Sequence, residues 1–394
     1  MQSADAIDRA EIGLTPEQRA LRRAVREFAR SQIMPKVDAY ERAGRYPIEL
    51  IREVGRLGYL GALIPPEYGG AGLDYVSYGI LCEEIAYADW VCASTISIQN
   101  SLVGSSLVRF GTEEQKRAYL VPLARGEWLS SACLTEPAHG SDLASLETTA
   151  RLDGDAYVLR GEKVFISHAN HANLFFVLAT VDRSLKHKGV CAFLVERDTP
   201  GIDTRPLAMH TLKRGDTARV FFDDVRVPRR NLLGGEGEGF RVVGSALDVG
   251  RFSVASRAVG QAQACVDASL AYARRREQFG QEIGRFQMVQ AMLADMLTRV
   301  EAARLLCQRV AQLKDAGVRR ASYEASMAKL YATDVCMQVA EQAVQIHGGY
   351  GLTAECAVGR YFQEAKVLQI GEGTNQLQQA LIAEYALGYR EQRA

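Results

Sequence analysis

The sequence lacks a run of about 18 apolar residues, the length that a membrane-crossing helix requires, so no membrane span is predicted. It also lacks net charge, because 47 basic residues balance 47 acidic ones. No nucleic-acid partner is therefore expected, although a local basic groove for a phosphorylated ligand is compatible with this balance. The first residues include Asp5, Asp8 and Glu11 and no apolar core. Neither a secretion signal nor a transit peptide is visible, and a bacterial-type cytoplasmic location is expected.

Several common motifs are missing as well. No C-x-x-C pair occurs among the eight cysteines, which predicts reduced and mostly buried thiols. The six histidines are far apart or, like His168 and His171, lack neighbours that bind metal, so no metal site is predicted. Neither G-x-G-x-x-G nor a P-loop is present, and no G-x-S-x-G elbow supports a serine hydrolase.

The pattern of apolar residues changes twice along the 394 residues, which predicts three domains. Helical periodicity begins at Thr15–Gln18, which offers an N-cap, a proline at N1 and a glutamine at N3. Short β-rich runs separated by turn residues occupy about 127–235, and long helical periods return after that. We expect domains at 1–126, 127–235 and 236–394: helices, a small antiparallel barrel or sandwich, and an antiparallel helical bundle.

The strands and late helices can be placed more closely. The β-rich runs are Tyr157–Arg160, Lys163–Ser167, Leu174–Thr180, Val190–Glu196 and Arg219–Val227. One long helix is marked by apolar residues from Val289 to Val310, and another by those from Met327 to Ile346.

Four polar stretches, three of them with glycine, could carry chemistry: Leu134–Asp142, Phe165–His168, Arg276–Gly280 and Gln369–Gln376. The first could bring amides and hydroxyls to a flat polar ring or a phosphate, but a turn-rich loop between domains explains it equally. The third suits a phosphate and an adenine, or else a basic helix end that complements the helix dipole. In the fourth, Glu372 lies between two glycines, which indicates a loop of unusual shape. Glu372 is then either a catalytic base or an ordinary surface carboxylate.

Taken together, the stretches resemble the acyl-CoA dehydrogenase family. The resemblance covers nearly the whole chain and is carried by T-E-P-x-x-G-S-D (Thr135–Asp142), R-x-x-F-G (Arg276–Gly280), Q-I-x-G-G-x-G (Gln345–Gly351) and E-G-T-x-Q (Glu372–Gln376). It implies a multidomain α+β fold that is mainly α. The expected parts are an N-terminal helical domain, a middle antiparallel β-barrel domain and a C-terminal four-helix bundle, usually in a homotetramer built as a dimer of dimers.

The resemblance also implies an FAD site, spread over all four motifs and shared with a neighbouring subunit. Thr135 and Ser167 are expected to hydrogen-bond the flavin ring, with Phe165 beside it. The remaining expected FAD contacts are Ser141, Arg276, Phe279, Gln287, Gln345, Gly348, Gly349, Thr374 and Gln376. For the substrate, Ser141 is expected at the pantetheine arm, and the other expected contacts are Leu247, Asp248, Arg251, Gly371 and Gly373.

The implied reaction is α,β-dehydrogenation of a short or medium acyl thioester. Glu372 is expected to remove the α-proton while hydride passes from the β-carbon to flavin N5. Some family members carry the base one residue before the arginine of L-D-x-x-R, and that position is Gly250 in this sequence. Of the two positions at which the family carries its base, only that of Glu372 offers a carboxylate, so Glu372 is the only candidate base at either position.

Departures from the family pattern leave the substrate open. Gly371 replaces a frequent tyrosine, Phe165 replaces a tryptophan, Ala132 stands where a tyrosine or phenylalanine is common, and Thr211–Thr217 differs from the usual loop. The default substrate is an acyl-CoA, with electron-transfer flavoprotein as acceptor. Alternatives are an acyl group on an acyl- or peptidyl-carrier protein in a biosynthetic pathway, and a flavoprotein on this scaffold that is not a dehydrogenase.

Overall fold

The structure is a computed structural model that describes residue 11, residues 13–318 and residues 320–390. Helices come first along the chain, a β-sheet follows, and long helices complete it. None of the described helices combines the length and apolar character that crossing a membrane demands. The eight cysteines are free thiols, and all but the partly buried Cys356 are buried, as predicted.

The first helix begins where the sequence predicts. The Thr15 hydroxyl accepts a hydrogen bond from the Gln18 amide (3.2 Å), and the Gln18 side chain accepts one from the Thr15 amide (3.0 Å). Its buried stripe includes Val25 and continues to Ile33. The N-terminal helices are α1 (Pro16–Phe28), α2 (Met34–Ala43), α3 (Ile48–Arg56), α4 (Tyr75–Ala88), α5 (Trp90–Ser97), α6 (Ser105–Phe110), α7 (Glu113–Gln115) and α8 (Val121–Ala124).

Three wider π-helical segments, which the periodicity did not indicate, join pairs of these helices. They connect α1 to α2 (Ala29–Ile33), α5 to α6 (Ile98–Gly104) and α7 to α8 (Lys116–Leu120).

The middle region forms one sheet in the order β6-β7-β3-β2-β4-β5-β8, with β1 also paired to β4. Two predicted runs are a single strand, because β3 continues through a register shift beside Gly161. The short strands β1, β2, β6 and β8 were not predicted, since they have too few apolar residues to show a period. The strands are β1 (Ser130–Cys133), β2 (Thr149–Asp153), β3 (Ala156–Ile166), β4 (Leu174–Thr180), β5 (Val190–Glu196), β6 (Ile202–Pro206), β7 (Ala218–Pro228) and β8 (Leu232–Leu233).

The sheet departs from the expected antiparallel barrel in two respects. Strand β4 pairs in parallel with β1, and it meets β2 in parallel at Thr149 and Thr180. These parallel contacts arise because β3 intervenes between β2 and β4 along the chain, so that no hairpin joins the paired strands. Among the described strands the order ends at β6 and β8, so backbone hydrogen bonds do not close the sheet into a barrel.

The C-terminal helices α9 to α12 pack around an apolar core that extends into the N-terminal helices. The two backbones of α4 and α9 pass closely, because a Cβ at Gly260 would lie 2.0 Å from the Glu83 carbonyl oxygen. The elements are α9 (Gly239–Arg275), β9 (Glu277–Gln278), β10 (Gln281–Glu282), α10 (Gln287–Asp315), α11 (Ser322–His347), α12 (Ala357–Ile370) and α13 (Asn375–Ala386). Helices α10 and α11 lie where their apolar periods predict.

A single buried guanidinium joins the three regions. Arg214, in the Thr211–Thr217 segment between β6 and β7, is fully buried. It donates to Asp89 at the start of α5 (Nε to Oδ1, 2.9 Å) and to Glu41 of α2 (Nη1 to Oε2, 2.6 Å). A third bond reaches Glu364 of α12 (Nη2 to Oε1, 2.8 Å). Two helical regions are thereby tied to the β-sheet region through charge-assisted hydrogen bonds.

We predict that Arg214→Met destabilises the protein by about 3–5 kcal/mol, because it leaves buried carboxylates without a cation. The measurement is the midpoint of thermal unfolding of the FAD-saturated protein, followed by circular dichroism. Arg205→Met is the control, since Arg205 pairs with Asp203 at an exposed site (2.8 Å) and such pairs contribute at most about 1 kcal/mol. Equal midpoints for the two variants would contradict the assignment.

Candidate active site

Glu372 lies in the short connection between α12 and α13. Helix α12 ends where the Gly371 amide donates to the Val367 carbonyl (2.9 Å), and α13 begins where Thr374 caps the Leu377 amide (3.3 Å). Glu372 has a left-handed backbone (φ 58°), which is uncommon for a residue with a side chain. Its surroundings must therefore hold this conformation.

A buried lysine on α11 fixes this connection. The Lys329 ammonium donates to the carbonyl oxygens of Gln369 (3.2 Å) and Gly373 (2.8 Å) and to Asn375 Oδ1 (2.8 Å). Gln378 adds a bond from Nε2 to the Gly373 carbonyl (3.0 Å). Lys329 was not predicted as a site residue, although a lysine between Met327 and Leu330 on an apolar stripe was the available signal.

The Glu372 carboxylate is poised to exchange a proton near neutral pH. Atom Oε2 is buried and has no hydrogen-bond partner among the described residues. Burial raises the pKa of Glu372 to about 7, and Arg251, Arg257 and Lys329 act in the opposite direction. A carboxyl group with this pKa is suited to general base catalysis.

The two positions where the family places its base meet in space. A Cβ added to Gly250 on α9 would lie 2.6 Å from Glu372 Oε2 and 3.0 Å from its Cδ. The carboxylate therefore occupies the space that any other residue at position 250 would fill.

The residues after Leu247 on α9 connect this site to α11. Asp248 is buried and accepts hydrogen bonds from the Ser322 hydroxyl (2.7 Å), while Arg251 Nη1 lies 3.5 Å from its Oδ1. Arg251 Nε is buried and has no hydrogen-bond partner in the described ranges of the chain. Leu247 is partly buried against a neighbouring apolar cluster.

On the β-sheet, the structure brings together three residues expected at the flavin ring. The Val164 amide donates to the Thr135 carbonyl (2.9 Å), which sets Thr135 beside the end of β3. The Ser131 hydroxyl donates to the Ser167 carbonyl (2.8 Å). Between them the Phe165 side chain is 62% exposed on a left-handed backbone (φ 60°), so its ring is free to contact a ligand.

A buried ion pair that the sequence analysis missed supports this edge. Lys163 Nζ lies 2.7 Å from Glu136 Oε1 and also donates to the Leu134 carbonyl (3.1 Å). Glu136 in turn accepts from the Thr148 amide (2.9 Å). The loop that carries Thr135 is therefore anchored on both sides.

A cavity of about 430 Å³ lies between the end of α9 and the end of α11. Its lining includes Arg276, Gly348, Gly349 and Tyr350. The Arg276 guanidinium lies over the Tyr350 ring, 5.9 Å from its centroid. The motifs R-x-x-F-G and Q-I-x-G-G-x-G thus meet in the folded chain, although they are far apart in sequence.

Other predicted site residues are exposed, and the described contacts of this chain do not bring them to Glu372. Phe279 is 94% exposed at the tip of the β9–β10 hairpin. The others are Ser141, Gln287, Gln345 and Gln376.

The residues present fit FAD. Added Cβ atoms at Gly348 and Gly349 would meet nothing within 4 Å, so the backbone there leaves room for a ligand beside the Arg276 guanidinium. An arginine with adjoining glycines suits a pyrophosphate, and the exposed Phe165 ring suits contact with a flat isoalloxazine. No cluster of three metal-binding side chains is found in the part of the chain that the structure describes.

Comparisons with known proteins agree with this geometry. Family models match the acyl-CoA dehydrogenase N-terminal domain at residues 15–127, the middle domain at 131–225 and the C-terminal domain at 237–387. A probable acyl-CoA dehydrogenase YngJ of Bacillus subtilis is 42% identical, over 95% of this chain and 99% of that protein. The mitochondrial short-chain specific acyl-CoA dehydrogenase of Bos taurus is 38% identical, over 95% and 91%.

Solved structures are similar over the same length. Butyryl-CoA dehydrogenase from Megasphaera elsdenii has a TM-score of 0.93 at 37% identity, over 95% of this chain and 99% of that one. A chain in the structure of the electron transferring flavoprotein of Acidaminococcus fermentans has a TM-score of 0.93 at 40% identity, over 95% and 99%.

A glutaryl-CoA dehydrogenase from Mycobacterium smegmatis, solved in complex with FADH2, has a TM-score of 0.91 at 31% identity, over 98% of this chain and 97% of that one.

The buried carboxylate, the three matched domains and these full-length similarities lead to one conclusion. This chain belongs to the acyl-CoA dehydrogenase family and is an FAD-dependent oxidoreductase that acts on the CH–CH bond of an acyl-CoA.

Proposed function

We propose that this protein oxidises a short or medium acyl-CoA to the 2-enoyl-CoA, with Glu372 as the base that removes the α-proton. The observation that carries the proposal is the buried Oε2 atom, which no described residue hydrogen-bonds, in a carboxyl group whose pKa burial raises to about 7. A structural carboxylate at this depth would be expected to have hydrogen-bond donors. A catalytic base instead needs an open lone pair toward the substrate.

In the proposed mechanism the protein lowers the barrier to removal of the weakly acidic α-proton by hydrogen-bonding the thioester oxygen. The backbone N–H of Glu372 is the protein's donor to that oxygen, and such a preorganised donor typically contributes about 3–4 kcal/mol to transition-state stabilisation. Lys329 and Gln378 keep this backbone in place through their bonds to the Gly373 carbonyl. Bound FAD supplies the acceptor for the hydride of the β-carbon.

The remaining site residues are assigned by the same proposal. Thr135, Phe165 and Ser167 contact the flavin ring. The nucleotide part of FAD is held by Arg276, Phe279, Gln287, Gln345, Gly348, Gly349, Thr374 and Gln376, partly across subunits. The substrate lies along Ser141, Leu247, Asp248, Arg251, Gly371 and Gly373. We further propose domains at 1–126, 127–235 and 236–394, a cytoplasmic homotetramer, and electron-transfer flavoprotein as the acceptor.

Gly371, beside the base, leaves open the space that the tyrosine frequent at this position in the family would occupy. An added Cβ at Gly371 would meet only the Val367 carbonyl oxygen, at 3.5 Å. The space beyond it supports a bulkier or differently placed acyl group. It also leaves a carrier-protein thioester as the second candidate substrate.

The first test is anaerobic bleaching of the bound flavin by butyryl-, hexanoyl- and isobutyryl-CoA and by the same acyl groups on an acyl-carrier protein. We expect acyl-CoA to reduce the flavin, and Glu372→Gln to slow this reduction by about 10²–10⁴-fold, because a neutral amide cannot accept the proton. Glu384→Gln on α13 is the control, since Glu384 pairs with Arg390 at an exposed site (2.8 Å). Unchanged reduction in Glu372→Gln would rule out the assignment.

The second test probes the contact between α9 and the base. Gly250→Ala would place its methyl group 2.6 Å from Oε2, so we expect the carboxylate to move and kcat to fall about 100-fold, with FAD still bound. Gly244→Ala lies on the same helix but would meet nothing nearer than Arg320 Nη2 at 3.7 Å. Equal kcat values for the two variants would show that Glu372 does not act from this position.

The third test is the pH dependence of kcat/KM. The base acts when deprotonated, so kcat/KM should rise with pH and level off above about 7, the pKa of Glu372. Lys329→Met should move this midpoint upward, because a nearby positive charge favours the carboxylate. Lys366→Met, at an exposed position of α12, should leave it unchanged. A midpoint near pH 4 in the parent enzyme would contradict a buried base.

A further inference from the structure

Two buried side chains near the base present donors without acceptors. Atoms Nε and Nη2 of Arg257 and Nε1 of Trp90 are buried and have no hydrogen-bond partner among the described residues. The Arg257 guanidinium lies over the Trp90 indole, 4.5 Å from its centroid. Arg257 is 4% exposed, so it is not solvated as a surface arginine would be.

Arg257 is charged at neutral pH, because burial lowers its pKa only to about 10. A buried charge is unfavourable unless it is paired, so a counter-ion is expected. Of the nearby carboxylates, Asp89 is already engaged by Arg214 (2.9 Å) and by the Cys92 amide (2.8 Å). Glu372 forms no ion pair with Arg257 within 4 Å and has its own role. Nε and Nη2 of Arg257 are therefore left for a ligand.

Helix α9 sets Arg257 on the same face as the base. Gly250 lies against the Glu372 carboxylate, Ser253 follows three residues later, and Arg257 four residues after that. Residues at these spacings share a helix face, and about 10 Å of helix axis separates positions 250 and 257. That distance matches a short acyl chain that reaches from the base toward the guanidinium.

A cluster of hydroxyls surrounds Ser253, which lies between Gly250 and Arg257 on this helix face. Ser253 donates to the Gly250 carbonyl (2.8 Å) and bonds the Ser97 hydroxyl (2.6 Å). The Ser101 hydroxyl donates to Ser253 (3.2 Å) and bonds the Tyr78 hydroxyl (2.8 Å). A purely hydrocarbon acyl tail does not need such a polar cluster.

We propose that Arg257 and the Trp90 indole N–H bind a carboxylate at the far end of the acyl group. The preferred substrate class is then an acyl-CoA with a terminal carboxylate and an acyl chain of about four to six carbons, from the axial distance above. The two free atoms Nε and Nη2 form one edge of the guanidinium, which can hold a carboxylate by two parallel hydrogen bonds. This inference rests on the proposed role of Glu372, concerns recognition only and adds no chemical step.

The experiment compares thioesters of equal chain length with the FAD-loaded enzyme: succinyl- with butyryl-CoA, glutaryl- with valeryl-CoA, and adipyl- with hexanoyl-CoA. We expect at least one carboxylated member to exceed its neutral partner in kcat/KM by about tenfold or more. On the pH plateau well above 7, where Glu372 is deprotonated in both enzymes, Arg257→Gln should lower kcat/KM for that substrate about 100-fold, mainly through KM. It should change kcat/KM of the neutral partner less than about threefold there. Arg257→Lys, which keeps the charge, should restore part of the loss.

A purely structural role of Arg257 would give a different result. Ser256→Ala is the matched control, because Ser256 is a buried residue of the same helix whose hydroxyl donates to the Phe252 carbonyl (3.1 Å). This change should affect both substrates equally. Binding without turnover is measured by calorimetry in Glu372→Gln enzyme, where Arg257→Gln should weaken glutaryl-CoA but not valeryl-CoA. Equal losses for both substrates, or no preference in the parent enzyme, would overturn the inference while neutral thioesters still bleach the flavin. If no thioester bleaches the flavin, the proposed function itself fails.

Discussion

The burial of Arg214 among carboxylates from three regions is the constraint on which the site depends. A guanidinium removed from water must keep its partners, so Asp89, Glu41 and Glu364 are held at fixed positions around it. Asp89 begins α5, which leads into the hydroxyl cluster, and Glu364 belongs to α12, which ends at the Glu372 loop. One buried cation thus sets the two helices that frame the active site.

Desolvation then gives the site its chemistry. The same low-polarity surroundings that raise the pKa of Glu372 also strengthen its electrostatic interactions with nearby charges. Three cations interact with this carboxylate: Arg251, Arg257 and Lys329. The Lys329 ammonium donates hydrogen bonds to Gln369, Gly373 and Asn375, in and beside the loop that carries Glu372. Arg257, in contrast, keeps Nε and Nη2 without a hydrogen-bond partner among the described residues. This difference separates a cation that positions the base from one that is available to a substrate.

The sequence allowed much of the fold to be predicted, since periodicity is a local property. The capping box at Thr15, the helices from Gln287 and Ser322 and the strands at Leu174 and Val190 follow from spacing alone. The parallel pairing of β1 with β4 could not be foreseen, because the hydrogen bonds of a sheet join residues that are distant in sequence. Polar strands such as β1 carry too little apolar pattern to be recognised.

The candidates for the site could be named from the residues alone: a glutamate between two glycines, an alternative position occupied by glycine, and motifs that together resemble one family. The folded chain was needed to show that Gly250 and Glu372 touch and that Lys329 supports the loop. It was also needed to show that Nε and Nη2 of Arg257 are buried without a hydrogen-bond partner among the described residues. The physical reason is that the sequence gives each residue type directly, whereas burial and proximity arise only when the chain packs. The pKa of a carboxyl group and the availability of a guanidinium depend on both.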